Sequence, residues 1–401
     1  MRQIKKYFLW FLAGALLACM ALVACAPVPP HKIGREQALE VVAEEDWPEL
    51  KDDMDVAGLQ EACRQSLAYL QRVPPERRFY FGPLSITAAR MIQGVVRLQE
   101  IFTQYPDLEA RTQALRKDFV LLRSVGSDGK GRVLFTGYYE PVVPARRESQ
   151  PPFVHPLYAL PQDMVFIDLS LFDENLPKRR LVGQLKGNKV TPYPDREAID
   201  FKKALEGKAK PLAYLADPVE AFFLHIQGSG QVAFPDGERL RLGYAASNGQ
   251  PYRSIGRYLI SQGLMDPDNM SMQAIKEFLE KKPELLRKVL SHNPSYVFFR
   301  PLPAYGGPLG CYEVPLTAGR SIATDRRFFP GLALAFVKGE VPAPAGGVSS
   351  LSRFVLNQDT GGAIRGPGRV DLFFGTGSQA GELAGRMKNL GELYFLAPKE
   401  P

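Results

Sequence analysis

Hydrophobic positions recur at two spacings along the chain. From about residue 54 to 123 the spacing is helical: Leu59, Cys63, Leu67 and Leu70 form one apolar stripe, and after Gly82-Pro83 the residues Ile86, Ala89, Ile92, Val96 and Ile101 form another. Pro106-Asp107 opens a third helix, predicted to run through Leu121. At Arg132 the character changes. Val133 to Glu140 reads as an aromatic strand interrupted by Gly137 and stopped by Pro141. Residues 142–260 keep this β character, with the run Ala221 to Gly230 read as a strand ending in a glycine turn. Short helices are predicted at Ile255 to Gln262, near 271–281 and at 283–291, where Pro283 suits a first helical turn. From His292 onward the pattern is again short strands and turns. The expected class is mainly β, a β-rich α+β protein.

Composition sharpens this picture in three places. A chain of 401 residues is too long for one ordinary core and predicts two domains. Its 34 prolines and 36 glycines supply the many turns a β-rich fold needs. The net charge of +7 comes without a dense Lys/Arg block, so no nucleic-acid partner is expected, although a mild positive charge suits an anionic polymer.

The N-terminus carries its own message. Arg2, Lys5 and Lys6 precede an apolar run from Tyr7 to Val23, and Leu22-Val23-Ala24-Cys25 leads into Ala26-Pro27-Val28-Pro29-Pro30. This is the layout of a secretory signal. Its end resembles the bacterial lipoprotein cleavage box, in which Cys25 becomes the lipid-bearing first residue. A retained signal anchor is the other reading. Residues 1–25 are therefore expected to be a lipoprotein signal peptide and 26–50 a tether. Ala26 after the cysteine resembles lipoproteins sent to the outer membrane, and a lipid anchor holds a domain at a membrane without spanning it. Cys63 and Cys311 are left to pair or to remain free thiols. His31, His155, His225 and His292 are too scattered for a zinc site, and no cofactor is expected.

Candidate chemistry concentrates near the C-terminus. Asp371 sits inside the strand-like run Arg369 to Phe374, where a charge costs free energy unless it is paired, solvated in a cleft or protonated. Asp359 leads a glycine turn and could simply cap it. Asp359-Thr-Gly361 matches an aspartic-protease triplet, but that chemistry uses two such motifs and only one is present. Gly375-Thr376-Gly377 with Gly381 follows a strand and opens a helix at Ala380 to Met387. Too little chain remains for a dinucleotide-binding unit, so it is read as a tight turn. His225 and Ser229 lack a nucleophile elbow. Gln227, Ser229, Asn248 and Gln250, with Tyr138, Tyr139, Tyr244 and Tyr252, have the amides, hydroxyls and flat rings that read sugars, though turn and core roles explain them equally well.

These motifs together resemble a known family. Phe135-Thr-Gly-Tyr-Tyr-Glu-Pro141, Phe223-Leu-His-Ile-Gln-Gly-Ser-Gly230, Gly243-Tyr-Ala-Ala-Ser-Asn-Gly249, Pro251-Tyr252, Ser254-Ile-Gly256 and Asn293-Pro-Ser-Tyr296 are similar to the membrane-bound lytic murein transglycosylase A family. The C-terminal part resembles its three-aspartate domain at Ser321-Ile-Ala-Thr-Asp325, Asp359-Thr-Gly-Gly-Ala-Ile-Arg-Gly366 and Val370-Asp371-Leu-Phe, while Phe328-Phe-Pro-Gly331 departs from the usual pattern.

The resemblance implies a double-psi β-barrel built from residues 51–142 and 300–401. A second β-rich domain, 143–299, would be inserted in it, with a glycan groove between the two. It implies a lytic transglycosylase in which Asp371 acts as general acid and then base, supported by Asp359 and Asp325. Thr136, Tyr138, Tyr139, Glu140, Gln227, Gly228, Ser229, Tyr244, Asn248 and Tyr252 would bind peptidoglycan glycan strands. The implied location is the outer membrane, facing the periplasm, with cell-wall enzyme complexes as further partners. Two alternatives stay open: a hydrolytic glycosidase pairing Asp371 with Asp359 or Glu140, and a non-catalytic peptidoglycan-binding lipoprotein.

Overall fold

A computed structural model describes residues 33–267, 270–303 and 306–400. The expected signal peptide with Cys25 lies outside the described residues, and the expected tether of 26–50 is a folded part of the unit over its second half: Leu39–Val41 pairs with Phe119–Ser124, and Leu39, Trp47 and Leu50 are buried in the main core. Arg35–Pro401 forms one compact unit.

Six strands close into a barrel: β1 (Val133–Glu140), β2 (Ser321–Ala323), β3 (Leu334–Pro342), β4 (Val348–Asp359), β5 (Arg369–Thr376) and β6 (Lys388–Pro398). Their spatial order is β6-β3-β4-β2-β5-β1, and β1 returns to β6. The β2/β4 and β5/β1 pairs are parallel and the others antiparallel. This is the closed barrel that the resemblance implies. Inward residues such as Val133, Phe135, Val337, Val370, Leu372 and Phe395 fill it. The 11-residue β6 outruns the barrel, and its end, Tyr394–Pro398, pairs with strand Phe119–Ser124.

Three helices precede the barrel: α1 (Val56–Leu70), α2 (Ala88–Gln104) and α3 (Leu108–Asp118). Asp55, Thr87 and Asp107 cap them, each side chain accepting from a first-turn N–H. The stripe of Leu59, Cys63 and Leu70 joins the barrel core, but α2 buries Met91, Val95, Leu98 and Ile101 there instead of the expected Ala89, Ile92 and Val96, and Val96 is exposed. Two further expectations change here. Ile86 belongs to a hairpin, Arg78–Phe81 with Leu84–Thr87, rather than to the second helix. The third helix stops at Asp118, because Phe119, Leu121 and Leu122 are needed as a buried strand beside β6.

Between β1 and β2 the chain builds a sheet of Val142–Pro144, Gly230–Ala233, Arg239–Ser247 and Val297–Leu302, together with smaller sheets. It also forms helices α4 (Pro218–Gln227), α5 (Ile255–Ser261), α6 (Met272–Lys281) and α7 (Pro283–Ser291). The last three fall where the periodicity puts them. The run from Ala221 is a helix, not a strand. The Asp217 carboxylate accepts from the Val219 N–H, Pro218 occupies the first turn, and Gly228 closes the helix at φ 76°. Its apolar character runs all round because it is buried on two sides, with Val219 and Phe222 in one cluster and Ala221 and Leu224 in another. His225 lies within it, buried against the Tyr296 and Phe299 rings. The glycines at 375 and 377, at φ 105° and 92°, make the expected tight turn, and helix α8 (Ser378–Arg386) starts two residues before Ala380. Cys63 and Cys311 are free thiols.

Candidate active site

The shortest strand of the barrel assembles the aspartates. The three-residue β2 lies between β4 and β5, and its Ala323 stands opposite both Asp359 on β4 and Asp371 on β5. Asp371 in turn pairs with Thr136 on β1. Residues in register share a face, so Asp359, Asp371 and Thr136 form one cross-barrel row. Asp325 follows two residues after β2. The Thr324 N–H donates to the Asp359 carbonyl at 3.1 Å, and the Thr360 hydroxyl donates to the Thr324 carbonyl at 2.8 Å, fastening the two strand ends together.

The three carboxyls have different surroundings. Asp371 accepts at Oδ1 from the Thr136 hydroxyl and, at 3.4 Å, from Arg369 Nε. Burial pushes its pKa up, against the opposing pull of Arg369 and Thr136. Asp359 accepts at Oδ1 from the Cys311 N–H at 2.9 Å and the Thr360 N–H at 2.8 Å. Burial dominates there too, and its pKa rises to about 6. Asp325 differs: burial would raise it, but Arg327 pairs with it at 2.6 Å and the Gly366 N–H donates to it at 2.8 Å, and the net direction is down. Asp325 is thus a fixed anion that pins the loop between β4 and β5, while burial favours the protonated forms of both Asp359 and Asp371.

Asp359 carries a stability signature. Its carboxyl titrates near 3.8 when unfolded and about 6 when folded, so between those values the folded chain binds more protons and stability falls as pH rises. Asp359→Asn keeps an oxygen for both N–H donors and removes this fall. Unfolding at pH 4 and pH 7 is expected to show the variant gaining on the wild type by about 1–3 kcal/mol at the higher pH.

The remaining candidates divide by location. Tyr138 alternates onto the face of Thr136 and lies close enough to Asp359 and Asp371 for burial and their charges to hold its phenol well above the usual range. Tyr252, from the loop before α5, is partly exposed and feels the charges of both Arg369 and Asp371, which places the inserted segment across from the acid. Tyr244 is half exposed on Arg239–Ser247. Tyr139 points the other way and covers Gly381 of α8, where a β-carbon would stand 2.8 Å from its ring. With Gln227, Glu220, Lys276 and Ser378 it lines a separate cavity of about 270 Å³. Gly228 and Ser229 sit at the end of α4.

Glu140 and Asn248 present no atoms to solvent. Glu140 is fully buried, bonded by Gln231 at 2.8 Å and Thr376 at 2.7 Å and paired with Arg241 at 3.1 Å, which makes it a joint between β1, β5 and the inserted sheet. The Asn248 amide donates to the Pro194 and Pro294 carbonyls, and its oxygen accepts from the Tyr296 and Gln250 N–H groups. Arg369 is the site residue that sequence reasoning missed. It reaches Asp371, the Thr136 hydroxyl at 3.2 Å and the Ala363 carbonyl at 3.4 Å. An arginine two positions before an aspartate on a strand shares its face, and that spacing was the available signal.

Comparison with known proteins gives the family. A profile described as the MltA specific insert domain matches residues 134–300, and one described as the 3D domain matches 320–397. Membrane-bound lytic murein transglycosylase A of Escherichia coli (strain K12) is 37% identical over 279 residues, 68% of this chain and 67% of that protein. The chain belongs to the membrane-bound lytic murein transglycosylase A family. Among solved members, the Agrobacterium tumefaciens enzyme is 32% identical with a TM-score of 0.74, covering 90% of this chain and 98% of that one. The E. coli MltA structure with bound chitohexaose is 26% identical with a TM-score of 0.68, covering 93% and 98%. The matched three-aspartate segment of the family contains β2, β4 and β5, the strands that carry Asp325, Asp359 and Asp371 here.

Proposed function

We propose that the chain is a peptidoglycan lytic transglycosylase. It cleaves the β-1,4 bond between N-acetylmuramic acid and N-acetylglucosamine without water and leaves 1,6-anhydro ends. The observation that carries this reading is Asp371, a buried carboxyl in one row with Thr136 and Asp359, held at Oδ1 by the Thr136 hydroxyl and Arg369 in a burial that favours its protonated form. Protonated Asp371 gives its proton through Oδ2 to the glycosidic oxygen as the bond breaks. The carboxylate so formed takes the proton of the C6 hydroxyl on the same muramic sugar, whose oxygen closes onto the anomeric carbon. One group serves both steps because its protonation alternates. Arg369 and the Thr136 hydroxyl steady the anion between them. Asp359, with Oδ1 committed to two backbone N–H groups, and Asp325, paired to Arg327, act as supports rather than as a second nucleophile of the kind retaining glycosidases use.

In this reading residues 51–142 with 300–401 form the catalytic part and 143–299 the glycan-holding part, with Tyr138, Tyr244 and Tyr252 offering ring faces along the strand. Cys25 carries a lipid that keeps the enzyme on the outer membrane, facing the periplasm, in cell-wall turnover and remodelling. Purified peptidoglycan digested with the chain from Ala26 onward is the test. Mass spectrometry is expected to find muropeptides lighter by one water than hydrolytic products. Products at the hydrolytic mass would require an activated water and defeat the proposal.

A further inference from the structure

Outside the barrel, one small sheet has an inverted surface. Strands Met164–Asp168, Arg180–Lys186 and Lys189–Pro192 form a separate antiparallel sheet. One face packs inward at its Met164 end: Met164 and Val182 join an internal cluster, and Val182 lies under Gly249, while Phe166 on the same face stays 42% exposed. The other face should then be polar, as in most half-solvated antiparallel sheets. Register shows that it is not. Ile167 stands opposite Leu181, Val165 opposite Gly183, and Leu185 opposite Val190, so the outward row is apolar across all three strands. Leu185 is 62% exposed and Val190 46%. The turn after the first strand adds Leu171 at 82% and Phe172 at 75%. Contiguous apolar exposure of this kind marks an interaction surface.

The charges around it select the occupant. Between 164 and 192 the chain carries five cations, Lys178, Arg179, Arg180, Lys186 and Lys189, against Asp168, Asp173 and Glu174. Arg180 is paired with Asp168, while the other four cations are exposed. A second copy of the chain would bring these like charges together. A glycan would find no amide or hydroxyl on the aliphatic row. An aliphatic row with an aromatic tip, flanked by Lys178 and Arg179 at the tip and by Lys186 and Lys189 at the far hairpin, fits a bilayer interface bearing anionic headgroups.

We propose that this face docks on an anionic phospholipid surface, with Leu171 and Phe172 entering the interface and the surrounding cations meeting the headgroups. The contact is independent of any lipid on Cys25, and it faces away from Gly249 and the loop bearing Tyr252.

The chain from Ala26 onward, which keeps the whole compact unit Arg35–Pro401 and lacks the anchor, is mixed with phosphatidylcholine vesicles with and without phosphatidylglycerol and sedimented. Binding is expected to the anionic vesicles only and to weaken with salt. Leu171→Asp with Phe172→Asp should weaken it at least about tenfold, and Lys186→Glu with Lys189→Glu should remove the preference for anionic lipid. Cleavage of soluble glycan chains should continue in both variants, which verifies folding. Failure of the wild type to bind either vesicle overturns the proposal, as does binding that the tip variant leaves unchanged. Concentration-dependent dimerisation that the tip variant abolishes, without vesicle binding, overturns it in favour of a self-association face.

Discussion

Asp371→Asn is expected to lower peptidoglycan cleavage by about a thousandfold or more while leaving the chain folded. The amide cannot give up a proton to the glycosidic oxygen, yet its oxygen still accepts from Thr136 and Arg369. The pH dependence separates this outcome from simple damage. Burial raises the Asp371 pKa, so the acid stays protonated to higher pH than a free aspartate, and wild-type cleavage is lost as pH rises through that folded value. Stability has the matching sign. Between the unfolded value of 3.8 and the raised folded value, the native state binds more protons than the unfolded one, so the wild type loses stability as pH rises. Asp371→Asn carries no such loss and should melt at the same temperature or higher at neutral pH. Near-normal cleavage by this variant would place the acid elsewhere. Lost cleavage with a much lower melting temperature would make Asp371 a structural residue.

Asp52→Ala is expected to cost the most stability, about 3–5 kcal/mol in denaturant unfolding. Asp52 holds Arg320 through two bonds, at 2.7 and 2.8 Å, and its carboxylate also accepts from the Phe354 N–H. Arg320 is fully buried just before β2 and further donates to the Phe354 and Asp55 carbonyls. Removing Asp52 strands a guanidinium inside the protein, and water cannot reach it. The double variant Asp52→Ala with Arg320→Met removes both charges and should recover part of the loss. An Asp52→Ala midpoint within about 0.5 kcal/mol of wild type would show that the pair is not what holds the segment before α1.

The helices of the first hundred residues and of 255–291 were legible because one face of each is apolar at helical spacing and most begin at a capping side chain. The helix α4 was not, because burial on two sides erased its periodicity; Asp217-Pro218 and Gly228 were the local marks that outweighed it. Asp371 was legible as a charge in an apolar strand. Its company was not. Thr136 is brought to it by a parallel pairing, and Asp359 through a three-residue strand too short to carry any pattern. Glu140 and Asn248 read as groove residues because polar side chains at strand ends look alike until their partners are known. Those partners, Arg241, Gln231, Pro194 and Pro294, lie far along the chain and meet them only in the folded state.

The distance in sequence between Thr136 and Asp371, 235 residues, has a consequence for the life of the molecule before it reaches its substrate. Thr136 on β1 is made 235 residues before Asp371 on β5, and β6 follows later still. No partial chain contains the row that holds the acid. A chain that has not yet added β5 and β6 therefore lacks the row, which is complete only once β5 has paired with β1 and β6 has closed the barrel.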